Sequence, residues 1–149
     1  MTSLQEALKT GNLEALRSVP KSDLHNHAFG GGNRAWVARV TGCDVAPLDR
    51  PLNSIAEMHA WVDRHLGALF VGPAGRLNAF EATFVQAQFD GVTRLEIGED
   101  VGQLLCSTGA PSRSRRSLQR FIHALRRTLN GFRSLDCRVI VQFRASPIG

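Results

Sequence analysis

Cysteine is scarce in this chain, lysine scarcer still, and long apolar runs are missing. The three cysteines, Cys43, Cys106 and Cys137, are odd in number and scattered, without C-x-x-C spacing. That pattern argues for reduced thiols rather than a disulfide framework or a cysteine zinc site. The longest clearly apolar stretch, residues 66–75, contains Pro73 and reaches about half of the ~20 residues a membrane span needs. The first residues, MTSLQEALKTGNLEALRS, are polar and helical in pattern, with no hydrophobic signal core. Internal repeats and low-complexity segments are absent as well. These absences predict a soluble, cytoplasmic protein with no membrane partner.

What is present suits one globular domain. The chain has 149 residues, of which 43% are hydrophobic and 21% charged, too apolar for a disordered chain. The net charge of +5 is unevenly placed. Residues 1–112 carry 9 Lys and Arg against 12 Asp and Glu, whereas residues 113–149 carry 9 Arg against Asp136 alone. Such a block can bind nucleic acid or an acidic partner. No aromatic interleaving or known nucleic-acid module accompanies these arginines, so they read as the solvated face of a helix and predict no nucleic-acid partner.

Apolar periodicity and turn residues predict an alternation of strands and helices. Ser3 with Glu6 signals a first helix, and Asn12 caps a second that ends before Pro20. Residues 22–30, SDLHNHAFG, suit a short buried strand. A helix over 34–40 stops at Gly42, and 43–53 is a loop with two prolines. Ser54 with Glu57 makes a capping box for a helix striped by Ile55, Met58, His59, Val62 and Leu66. The loop VGPAG precedes a helix over 77–89 that turns Phe80, Phe84 and Ala87 inward and stops at Gly91. Residues 92–98 form a second strand and 107–113 a loop. Leu118, Phe121, Ile122, Leu125, Leu129 and Phe132 then mark an amphipathic helix whose outer face carries Arg115, Arg116, Arg120, Arg126 and Arg127. Residues 137–143 form a third strand.

Strands separated by helices run parallel, so the fold class is α/β: an open sheet or part of a barrel. The last predicted strand has no helix after it. The expected arrangement is therefore the N-terminal part, about three βα units, of a (β/α)8 TIM-type barrel, with residues 1–149 a partial domain.

His25-Asn26-His27 is the sharpest chemical feature. Residues i and i+2 of a strand point to one face, so two imidazoles at its C-terminal end can share one divalent metal. Barrel enzymes keep their chemistry at that end. H-x-H also occurs as two histidines that alternate without function. Asp23 just before the pair and Gly30-Gly31-Gly32 just after it sharpen the metal reading, since small residues let a backbone or substrate come close. The glycine run lacks the spacing of a phosphate-binding loop.

Pro20-Lys21-Ser22-Asp23-Leu24-His25-Asn26-His27, with Gly30 three residues on, resembles the opening strand of adenosine deaminase and its relatives in the amidohydrolase superfamily. The layout resembles that family across nearly the whole chain: Pro51-Leu52 before a helix, a helix running into Gly91-Val92, and Leu95-Glu96 on strand two. The resemblance implies a Zn2+-dependent deaminase, other divalent metals being open, on a (β/α)8 barrel. His25 and His27 would be the first two zinc ligands. In that family a third histidine and an aspartate come from later strands, zinc activates a water that attacks an aminated purine, and a glutamate protonates the ring. The implied partner is a small aminated purine or related heterocycle. Phe29 and Gly30 fall at the substrate. Phe29 replaces the family's usual ribose-contacting aspartate, and an apolar ring accepts no hydrogen bond from a sugar hydroxyl, which points away from adenosine itself. Strand two also departs from the family's Glu-x-Arg, because Glu96 is followed by Ile97 and Gly98.

The remaining candidates are thin. His59, His65 and His123 read as packing or surface residues. Glu57, Glu81 and the Glu99-Asp100 pair are what is left for acid–base work. Two readings compete with the deaminase. The Asp-x-His-x-His opening also fits metal-dependent phosphoesterases of the polymerase-and-histidinol-phosphatase type. A non-catalytic barrel segment would instead associate with itself or with a partner through exposed strand edges.

Overall fold

A helix between consecutive strands lets them run parallel in one sheet, and the three strands do. The computed structural model describes residues 4–28, 30–100 and 111–142. In chain order these form α1 (Leu4–Thr10), α2 (Leu13–Ser18), β1 (Lys21–Asn26), α3 (Arg34–Thr41), α4 (Ile55–His65), α5 (Gly72–Phe89), β2 (Val92–Asp100), α6 (Pro111–Asn130) and β3 (Asp136–Gln142). A 3-10 turn at Gly67–Leu69 leads from α4 towards α5. The sheet order is β1-β2-β3, every pairing parallel. The protein is thus mixed α/β around a small parallel sheet.

Alternation along β2 divides the sheet into two faces. Leu95 and Ile97 are wholly buried and join one apolar core with Phe80, Phe84 and Ala87 of α5 and with Phe121 and Leu125 of α6. The rings meet edge to face, with Phe80–Phe121 centroids 6.0 Å apart and Phe84–Phe132 centroids 5.3 Å apart, an arrangement that suits their quadrupoles. Cys137 and Val139 pack against the same core from β3. Burial, and then the charge of neighbouring Asp136, pushes the Cys137 thiol up to about 12. Cys43 and Cys137 are both free thiols. The other face carries Arg94 and Glu96, joined at 3.0 Å, then Gly98. In register beside them on β3 stand Asp136 next to Arg94, Arg138 next to Glu96, and Ile140 next to Gly98. Asp136, Arg138 and Ile140 are exposed.

Local chemistry ends the helices where the sequence says they should end. The side chains of Asn12 and Asn33 accept from Ala15 N–H and Trp36 N–H, capping α2 and α3. Gly42 closes α3 in the left-handed conformation. Gly91 has φ +74°, and a Cβ there would overlap the Arg17 carbonyl, so only glycine fits the join of α5 to β2. Lys21 Nζ donates to Leu16 O at 2.7 Å and to Asp90 O. One ammonium therefore ties residues at the C-terminal ends of α2 and α5 to the start of β1.

Several sequence expectations need correction. The strand expected over 22–30 stops at Asn26; Gly30 N–H and Gly31 N–H both donate to His27 O, so the chain turns at Ala28 and Gly30. α5 begins at Gly72 rather than 77, because Pro73 in its first turn is preset for a helix. The α4 stripe holds at Val62 and Leu66, which pack inward, but not at Ile55, which is 72% exposed, nor at Met58 and His59, which are also exposed; Trp61 packs inward as well. Ser54 does cap α4 by accepting from Glu57 N–H, but the Glu57 carboxylate reaches Asn53 N–H and Arg50, not Ser54 N–H. Ser3 and most of the loop expected at 107–113 lie outside the described residues, and α6 starts at Pro111. Arg116, Arg120, Arg126 and Arg127 are exposed on α6, four of the nine arginines of the basic block, and the Arg115 side chain lies outside the described residues. Among the described residues, no helix is long and apolar enough to cross a membrane.

Candidate metal centre

β1 delivers two imidazoles to the uncovered face at its C-terminal end. His25 lies in the strand and His27 just past it, and both are exposed. Their Nε2 atoms stand 3.2 Å apart, with ring centroids 5.1 Å apart and planes at 74°. Two nitrogens at that spacing, each about 2.0–2.1 Å from a shared zinc, subtend an angle of roughly 100–105° at the ion, close to tetrahedral. The pair could therefore supply two of the ligands of one divalent metal. The same spacing also suits one imidazole donating to the other, so the pair can be closed by a proton or by an ion.

A one-residue bulge sets this direction. From Asp23 to Asn26 the chain takes one more step than its partner segment from Leu95 to Ile97. Bulges re-aim side chains in this way. His27 lies beside β2, where a Cβ on Gly98 would come within 4.0 Å of its Cε1. Gly98 stands where the resemblance would place an arginine, and its lack of a side chain leaves the space beside His27 open.

The turn after His27 is held from the covered side. Thr83, buried in α5, donates from Oγ1 to Ala28 O at 3.1 Å. Asn33 N–H donates to Ala82 O at 2.9 Å, and Asn33 Nδ2 to Gln86 Oε1 at 3.0 Å. A Cβ on Gly32 would come within 3.0 Å of the Ala82 Cβ, and one on Gly31 would overlap the Asn26 carboxamide. Two of the three consecutive glycines thus allow close packing. Gly30 is exposed beside the pair. Phe29 lies outside the described residues. These polar anchors on α5 carry no apolar periodicity, so no sequence pattern marked them.

The other candidates do not converge on the pair. Glu57 is engaged with Arg50 and Asn53, and its carboxyl is held below the usual carboxylate range, chiefly by the Arg50 hydrogen bond. His65 stacks on Trp61 with centroids 4.9 Å apart, and His59 and His123 are exposed. Glu81 is half-buried on α5, and the backbone of Glu99 and Asp100 continues β2 rather than following it. Among the described residues, no group of three His, Cys, Asp or Glu is arranged to hold a metal ion. No protein-family model and no curated protein matches the chain.

Proposed function

We propose that this chain provides the first three βα units of a (β/α)8 barrel in a metal-dependent hydrolase resembling adenosine deaminase. The observation that carries the reading is the 3.2 Å approach of His25 and His27 Nε2 on the uncovered face, at the C-terminal end of a parallel strand. That is the end where barrel enzymes place their chemistry. A divalent metal held there, Zn2+ by preference, would supply Lewis-acid activation of water. The chain's own part is to present two neutral imidazole nitrogens and to leave the space above them clear. Gly98 serves the second task. The remaining ligands and the acid–base groups come, in this reading, from further strands. The substrate class is an aminated purine or a related heterocycle, without the ribose contact that Phe29 replaces.

The test uses native protein from its source cells. Metal content and ammonia release from a panel of aminopurines are measured for the wild type and for His25→Ala. Metal uptake and ammonia release that both vanish in His25→Ala are expected. Phosphate release from a generic phosphomonoester, with no ammonia from any purine, would replace the deaminase by a phosphoesterase.

A further inference from the structure

The i and i+2 spacing brings the two imidazoles together, and the extra residue that β1 carries between Asp23 and Asn26 turns the pair to the uncovered face. Asp23 is the residue that touches both ends of that irregularity. Its Oδ1 accepts from His25 N–H at 3.3 Å, and its Oδ2 accepts from Asn26 Nδ2 at 2.6 Å. The Asn26 carboxamide has no other anchor of its own: its Oδ1 is buried without a hydrogen-bond partner, under the turn at Gly31. We propose that Asp23 is a positioning residue, which fixes the bulge in β1 and so holds His25 and His27 on the uncovered face. The proposal rests on the metal reading of that pair.

The reason is geometric. A strand without its bulge regains strict alternation with its neighbour, and a shift of one residue turns a side chain to the opposite face. With Asp23 gone, neither His25 N–H nor Asn26 Nδ2 has the acceptor that holds the extra residue in place. The bulge then loses its side-chain support, and the pair loses its hold on the uncovered face. Residues that orient metal ligands typically change affinity by about 10–100-fold when replaced. Asp23 acts through the backbone and not on a ring nitrogen, so the lower end of that range is expected.

The experiment is titration of the full-length native protein with Zn2+ alone, read by calorimetry, beside its urea-unfolding midpoint without metal. Asp23→Ala is expected to bind Zn2+ about tenfold more weakly. Asp23→Asn is expected to recover most of that affinity, because a carboxamide oxygen still accepts from His25 N–H and its amino group can donate to a flipped Asn26. If Asp23→Ala does not fold, Asp23→Glu carries the comparison. It keeps the charge, lengthens the reach by one methylene, and is expected to lose affinity. Unchanged Zn2+ affinity in whichever of these two variants is folded overturns the role of Asp23 and leaves the metal reading standing. A wild-type chain that takes up no Zn2+ overturns the metal reading and this inference with it.

Discussion

On the side of β2 that meets α5, Leu95 and Ile97 lie out of solvent among Phe80 and Phe84. On its other side Arg94, Glu96 and Gly98 share the surface with His25 and His27. The same strand thus serves two solvents. Apolar packing on the covered side supplies stability and is indifferent to chemistry. The uncovered side holds the histidine pair. Residues on the two sides should therefore fail in different ways when changed, except where a hydrogen bond crosses between them.

Phe84→Ala should break the covered side outright. Phe84 has no exposed surface and touches Phe80 and Phe132, and such truncations cost about 3–5 kcal/mol. Denaturant unfolding reads it; a loss below about 1 kcal/mol would show that this ring is not at the centre of the core.

Thr83→Val probes the crossing point. The change keeps the volume but removes the donor to Ala28 O, leaving that carbonyl buried without this partner, at a cost of about 1–3 kcal/mol. Because Ala28 follows His27, Zn2+ affinity should fall with stability. Stability lost with affinity intact would show that the anchor from α5 does not reach the histidines.

His25→Ala should show the opposite pattern, abolishing Zn2+ uptake while moving stability by no more than about 0.5 kcal/mol, as expected for an exposed residue. A large stability loss would mean that the uncovered face is structural after all.

The smallest effect concerns the acid side. The Glu57 carboxyl is depressed by Arg50 and by Asn53 N–H, so its contribution is present above its ordinary value near 4.5 and fades as pH falls through the lower folded value. Acid unfolding of Glu57→Gln should lack that small component, with both faces of the sheet unaffected. An acid limb identical to the wild type would show that this exposed pair adds nothing.

The covered face was the more legible in sequence. Phe80, Phe84 and Ala87 recur at helical spacing, strands two and three read as β-rich runs, and their parallel pairing follows from the helices between them. The uncovered face was legible at one point only, the i and i+2 spacing of His25 and His27. The bulge depends on a bond between Asp23 and Asn26 that neither hydropathy nor propensity records. The anchors at Thr83, Asn33 and Gln86 link positions some fifty residues apart through polar groups, and they fall outside any apolar stripe. The α4 stripe was right at Val62 and Leu66 and wrong at Ile55 and Met58 for a related reason: α4 has apolar residues on more than one side, and tertiary contacts added Trp61.

The charges that alternate between β2 and β3 act as a second lock on the alignment of the sheet. A slip of one residue is already forbidden, because it would turn Leu95 and Ile97 away from the aromatic rings. Hydrophobicity cannot detect a slip of two, which leaves every side chain on its own side. The open face can. Moving β3 two steps one way sets Arg94 beside Arg138, and two steps the other way sets Glu96 beside Asp136, and like charges directly abreast repel. Odd errors are rejected by oil and even errors by charge, so the strands have one alignment in which both are content.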